Sequence, residues 1–242
     1  MQLLKTIILF TVAAAGCCIQ LIGQERQNTA DSVYTYSKAS EAGTGKFYKG
    51  REIAQVMDAA GSEWLERESR QREENTRLAI KHIRLSAAAV IADIGAGTGY
   101  YTFRLSGKVP KGKVYAVEIQ DAFIKYLNNK KNELRDTIVE VVKGSEQSPN
   151  LPENSTDLAI MVDVYHELLF PHEMLQALRK SLKPQGKILL IEYRGEDLSI
   201  PIKTLHKTTV MQITRELTAN GFHLFSKGAF LPIQHFLLFE KN

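Results

Sequence analysis

The chain has 242 residues, 44% hydrophobic and 24% charged, the balance of a soluble globule with room for one large α/β domain and added N-terminal segments. Its 31 basic and 27 acidic residues leave a net charge of +4, with the two signs interleaved rather than striped, which argues against nucleic acid as a partner. Both cysteines, Cys17 and Cys18, lie in the apolar N-terminal stretch, so a chain starting beyond them has neither a disulfide framework nor a thiol nucleophile.

Residues 1–23 pair one basic residue, Lys5, with an apolar run and small residues, the pattern of a secretory leader. The run is short and interrupted by Gln20, a poor match to a spanning helix. Three fates are open: cleavage after Gly23, lipidation at Cys17 through Ala14-Ala-Gly-Cys17, or retention as an anchor. The expected location is therefore exported, periplasmic or membrane-attached, with the cytoplasm left open as the alternative. Residues 24–46 are polar and read as a flexible linker. Residues 47–87 read as N-terminal helices: Ile53, Ala54 and Met57 fall at helical spacing, Gly61 is a stop, and a charge-dense run follows. In that run Glu66–Arg70, Glu68–Arg72 and Glu73–Arg77 have the spacing of a solvated helix face, and Asn75 is placed to cap the next helix. A sharper reading makes Trp64 and Arg67 part of a lid over a substrate.

From residue 88 strands and helices alternate. Strands are expected at 89–94, 113–118, 137–142, 157–162 and 187–192, with helices from Tyr100 or Tyr101, at 121–132 and at 171–182. A last helix, 208–220, stops at Gly221, and strands 222–226 and 234–240 form a terminal antiparallel pair. This predicts a doubly wound, seven-stranded, mostly parallel sheet of Rossmann type. The sequon at Asn154 sits in a polar turn and reads as chance.

The chemistry is expected beyond the carboxyl ends of the strands. The first strand runs through Asp93 into Gly95-Ala96-Gly97-Thr98-Gly99, a turn that lets a ligand approach the backbone and aims helix N–H groups at it. The second strand ends at Glu118-Ile119, where an acid commonly takes the two hydroxyls of an adenosine ribose. A dinucleotide site would place glycine where Tyr100 stands. The third strand leads to Gly144-Ser145-Glu146, and the fourth to Asp163-Val-Tyr165-His166-Glu167. Polar residues at the mouth of a buried strand need partners, and these can orient ligands or move protons. They can also simply cap a turn or open a helix. Asp163, His166 and Glu167 are metal ligands by type but have no recognised spacing, and no metal is expected. Tyr193 and Arg194 close the fifth strand, with His206-Lys207 further on.

Together, Asp93 with the glycine turn, Glu118, the Asp163–Glu167 loop, Glu192-Tyr-Arg-Gly-Glu196 and the Pro201–His206 stretch resemble class I S-adenosylmethionine (SAM)-dependent methyltransferases over residues 47–240. Within that class they resemble a bacterial group with N-terminal leaders and no defined acceptor. The resemblance implies SAM bound by Asp93, Gly95, Ala96, Gly97, Thr98, Gly99, Glu118, Ile119, Ser145, Glu146 and Asp163. Ser145 stands where relatives often carry the acid that meets adenine. The expected acceptor is a small molecule methylated on O or N, contacted by Trp64, Arg67, Tyr193 and Arg194. His166 is the expected general base, with Asp163 and Tyr165 orienting the reactants. The competing reading is an exported, non-catalytic binding domain that keeps the fold, because SAM is a cytosolic metabolite.

Overall fold

The computed structural model describes residues 33–242. The expected leader, residues 1–23, and the first part of the expected linker, residues 24–32, lie outside them. The main sheet has seven strands: β4 (Val90–Ile94), β5 (Lys113–Glu118), β6 (Val139–Lys143), β7 (Thr156–Val162), β8 (Leu182–Tyr193), β9 (Phe222–Gly228) and β10 (Gln234–Lys241). Their order is β6-β5-β4-β7-β8-β10-β9. Pairings among β4 to β8 are parallel, while β10 runs antiparallel to β8 and β9. The chain reverses its direction of winding between β4 and β7, which opens a crevice at their carboxyl ends. The doubly wound expectation holds.

Strand period explains why this sheet reads as nearly unbroken apolar sequence. Successive residues face opposite layers, so Ile91, Leu189 and Ile191 enter one core while Ala92, Ile188 and Leu190 enter the other. Helices α4 (Thr102–Ser106), α5 (Asp121–Leu134), α6 (Pro171–Ser181) and α7 (Val210–Thr218) cover the two faces. Pro171 opens α6, where its missing N–H costs nothing, and Gly221 leaves α7 in a left-handed turn (φ 80°). Helix α5 begins at Asp121 itself, one residue earlier than it would with Asp121 as its cap. Gln120 is its N-cap, and Asp121 lies in the first turn, where its charge faces the positive helix end.

The N-terminal part differs from expectation. Residues 34–54 are neither linker nor helix but a three-stranded antiparallel sheet, β1 (Tyr34–Tyr36), β2 (Gly43–Tyr48) and β3 (Arg51–Ala54). Lys49 and Gly50, both at positive φ (49° and 90°), make the two-residue turn between β2 and β3. Helical spacing of Ile53, Ala54 and Met57 is also compatible with a strand followed by a bend, so periodicity alone could not separate the two. This small sheet is pinned to the main domain by buried polar contacts. The Arg51 guanidinium grips Glu216 of α7 with two bonds of 2.8 Å and donates to the His166 carbonyl at 3.0 Å. The Lys46 ammonium lies 3.4 Å from the Phe170 ring centroid.

Short helices α1 (Ser62–Leu65), α2 (Arg70–Glu74) and α3 (Thr76–His82) follow. The charge-dense run is not a solvated face. Arg70 and Glu74 are buried and paired at 2.8 Å, while Glu66 reaches Lys130. Asn75 joins α2 to α3 through a left-handed backbone (φ 55°), and its side chain accepts from Gln71 rather than capping α3.

Candidate active site

The crevice at the switch point holds a cavity of about 550 Å³, the scale of a small-molecule site. Its floor is the glycine turn. Gly95, Gly97 and Gly99 have φ of 69°, 54° and 75°, the left-handed region. A Cβ on Gly95 would lie 2.8 Å from the Val164 side chain, so this turn and the loop after β7 approach as closely as they do only because Gly95 has no side chain. Glu118, buried at the end of β5, ties the turn together. One carboxylate oxygen accepts from Gly97 N–H at 2.9 Å, and the other accepts from Ile119 and Gln120 N–H at 2.7 and 2.9 Å. Asp93 lies beneath, accepting from the Thr102 hydroxyl at 2.6 Å. Burial pushes the Asp93 carboxyl up to about 6, against the opposing pull of its bonds from Thr102.

One wall is Ile119, Ser145 and Glu146. Ser145 also closes its own turn, accepting from Ser148 N–H at 3.0 Å. The opposite wall is Met57, Trp64 and Leu65, with Arg70 and Glu74 behind them. Trp64 lines the cavity, but Arg67 does not. Its guanidinium stacks 3.7 Å from the Trp64 ring centroid and pairs with Glu73 and Glu74, so it braces the wall instead of meeting a ligand. Tyr193 lines the cavity and donates to Glu74 at 2.7 Å. Arg194 turns away to the carbonyls of Leu231 and Pro232, which removes it from the expected substrate contacts.

The loop after β7 divides its residues between two layers. Asp163 adopts a left-handed turn (φ 53°) and faces the cavity. Its Oδ2 accepts from Gln234 at 2.8 Å, while Oδ1 is buried without a partner. Burial, followed by the nearby Glu74 and Glu192, holds its carboxyl well above the usual carboxylate range. Tyr165 points the other way, fully buried with its hydroxyl donating to Glu216 at 2.8 Å, so it cannot orient a reactant. His166 returns to the cavity. Its Nδ1 donates to Glu192 at 2.6 Å, and Nε2 meets His206 Nδ1 at 3.1 Å. Burial opposes a charge on this ring, yet Glu192 and Glu167 outweigh it and push the imidazole up to about 10. With Nδ1 engaged by Glu192 and Nε2 by His206, the charged form of the ring is favoured, which weighs against His166 as general base.

His206 and Glu192 are central here, and the sequence draws attention to both stretches without assigning either residue a role. Glu192 donates nothing and reads as the polar end of a strand, while His206 reaches the mouth from a 3₁₀ turn (Thr204–His206) forty positions beyond His166. Two further buried polar atoms of cavity-lining residues, Thr98 Oγ1 and the Tyr101 hydroxyl, also lie without partners. Such groups are costly unless a ligand satisfies them.

Comparison with known proteins decides the class. Residues 92–188 match the family model described as a methyltransferase domain. A SAM-dependent methyltransferase from Aquifex aeolicus superposes with a TM-score of 0.72 at 25% identity, covering 77% of this chain and all of that one. The chain contains a SAM-dependent methyltransferase domain. Two curated relatives match in part. The malonyl-[acyl-carrier protein] O-methyltransferase of Priestia megaterium is 32% identical over 99 residues, 41% of this chain and 35% of that protein. The tRNA U34 carboxymethyltransferase of Desulfotalea psychrophila is 31% identical over 113 residues, 46% of this chain and 34% of that protein. The chain thus spans about a third of the length of the curated relatives it matches.

SAM is the cofactor of this class, and the residues present fit it. The sulfonium and ammonium of SAM are cationic, and the cavity carries the Glu118 carboxylate together with the buried carboxyl oxygens of Asp93 and Asp163, of which Asp163 Oδ1 is unpartnered. The backbone of Gly95–Thr98 leaves room for close approach, and Glu118 stands where a ribose diol would displace its bonds to backbone N–H groups.

Proposed function

We propose that the protein transfers a methyl group from SAM to an oxygen or nitrogen of a small-molecule acceptor. The observation that carries this reading is the continuity of one cavity from the glycine turn and Glu118 to Asp163, Glu167 and His206. SAM supplies a methyl group already activated by the sulfonium, so the protein's part is alignment and exclusion of water. Gly95–Thr98 and Glu118 would hold the nucleoside end, with Ser145 and Glu146 beside the base. Asp163 Oδ1 would face the cationic centre. Met57, Trp64 and Leu65 form an apolar wall over the reacting atoms, and Tyr193 fixes that wall by its bond to Glu74. The cavity's modest size favours a small acceptor, or a small group presented on a carrier, over a folded macromolecule. The leader pattern of residues 1–23 supports export or membrane attachment of this activity.

The test is calorimetric titration of the full chain with SAM and S-adenosylhomocysteine, beside Gly97→Val and Glu118→Gln variants whose folding is checked by circular dichroism. Micromolar binding by the wild type, weakened at least tenfold in both variants, is expected. A folded wild type that binds neither compound would overturn the reading and leave a non-catalytic domain.

A further inference from the structure

One end of the cavity holds an arrangement that binding of a methyl donor does not use. His166 Nε2, His206 Nδ1 and Glu167 Oε1 are separated by 3.1, 3.3 and 3.7 Å. Ligand atoms about 2.0–2.1 Å from one ion lie roughly 3.0 Å apart in octahedral geometry and about 3.4 Å apart in tetrahedral geometry. The three separations run from just above the octahedral spacing to just above the tetrahedral one, so a single ion can reach all three atoms with little movement.

Two of the three donors are also held by a second partner, as metal ligands characteristically are. His166 gives Nδ1–H to the buried Glu192 at 2.6 Å, which leaves Nε2 as the ligating nitrogen. Glu167 Oε2 accepts from Met57 N–H at 3.3 Å, which turns Oε1 towards the imidazoles. The ring planes of His166 and His206 cross at 76°, so their nitrogens converge on one region and the rings do not stack. Asp163, the third ligand by residue type in the sequence, is committed to Gln234 instead.

We propose that His166, His206 and Glu167 bind one divalent transition-metal ion, with Glu192 as the positioning residue for His166. Two imidazoles and one carboxylate suit Zn²⁺, Co²⁺, Fe²⁺ or Mn²⁺ and leave positions open for another ligand. The ion takes the place of the proton between the two imidazoles, so binding releases a proton. All three side chains line the cavity, so the open positions face the space reserved for the acceptor. This second part rests on the methyltransferase reading: the acceptor class is a molecule with a hydroxyl that can ligate the ion. Coordination favours loss of that proton to solvent. The oxygen then forms the new bond to the methyl carbon, the carbon–sulfur bond of SAM breaks, and sulfur keeps the electron pair.

The experiment uses the untagged full chain, treated with chelator and then titrated with Co²⁺ and Zn²⁺. One equivalent of Co²⁺ should bind at micromolar concentration or tighter, with a visible absorption band that Zn²⁺ abolishes. His206→Ala and Glu167→Ala should each weaken binding at least 100-fold, and Glu192→Gln should weaken it roughly 10–100-fold. No saturable binding by the folded wild type, or equal binding by His206→Ala, would overturn the site. Titration with S-adenosylhomocysteine in parallel keeps the two readings apart. Nucleoside binding without metal binding would remove the metal site alone, whereas metal binding without nucleoside binding would remove the acceptor role.

Discussion

Asp93 makes the cost of building this cavity measurable. Its carboxyl is 3% exposed, accepts from Thr102, and is pushed up to about 6 by burial, against 3.8 in an unfolded chain. At pH values between these two, the folded state holds a proton that the unfolded state has released. Stability must therefore fall as pH rises through that interval. The direction is opposite to that of a salt-bridged carboxylate: the penalty is absent below pH 4 and complete above pH 6. A difference of about two pKa units corresponds to about 3 kcal/mol. Asp93→Asn removes the titration and keeps an oxygen for the Thr102 hydroxyl to donate to. Urea unfolding of both proteins, followed by circular dichroism from pH 4 to 7.5, isolates the effect because other titrations cancel in the difference. The variant should gain about 3 kcal/mol relative to wild type across the range. Any fixed cost of placing the amide NH₂ only displaces the whole difference curve. Parallel curves would show that Asp93 titrates normally and refute the argument from burial.

Other expectations follow from single contacts. Arg51→Met should cost about 3–5 kcal/mol in urea unfolding, because Glu216 is left buried as an uncompensated charge, and adding Glu216→Gln should recover part of the loss. Gly95→Ala should lower stability by about 2 kcal/mol, from left-handed strain and the 2.8 Å approach to Val164. The same variant should weaken S-adenosylhomocysteine binding, which calorimetry would read. Tyr193→Phe removes the 2.7 Å bond to Glu74 and should cost about 1–2 kcal/mol of thermal stability, with a rise in KM if the wall beside Trp64 loosens. Arg67→Ala should act mainly on KM and not on kcat, since Arg67 supports Trp64 without reaching the cavity. An equal fall in both kcat and kcat/KM would assign it a place at the reacting atoms.

Much of the architecture is legible in the chain because local physics enforces it. A parallel sheet covered on both faces demands continuous apolar runs, and Val90–Ala92, Val114–Val117 and Ile188–Ile191 supply them, whereas the polar first half of β8, from Leu182, carries no such signal. Glycines at positive φ have few alternatives to tight turns, so Gly95, Gly97 and Gly99 mark the ligand-facing loop without reference to any other residue. The terminal antiparallel pair is announced by a helix stop at Gly221 and two short apolar runs. The three-stranded sheet at 34–54 was less legible, since short strands and short helices share compositions. Its one firm local sign is the Lys49-Gly50 turn.

Side-chain direction and long-range pairing belong to the tertiary structure alone. Tyr165 and His166 are neighbours in sequence, yet one is buried against Glu216 and the other faces the cavity. Arg67 and Arg194 have the residue type of substrate contacts but are consumed by Trp64, Glu74 and backbone carbonyls. The cluster of His166, Glu167 and His206 depends on a loop and a 3₁₀ turn forty positions apart, held in place by Glu192 and Met57. Spacing along a chain encodes which residues share a helix face or a strand edge. It does not encode which carboxylate meets which imidazole, because that is decided by where packed elements leave buried polar atoms in need of partners.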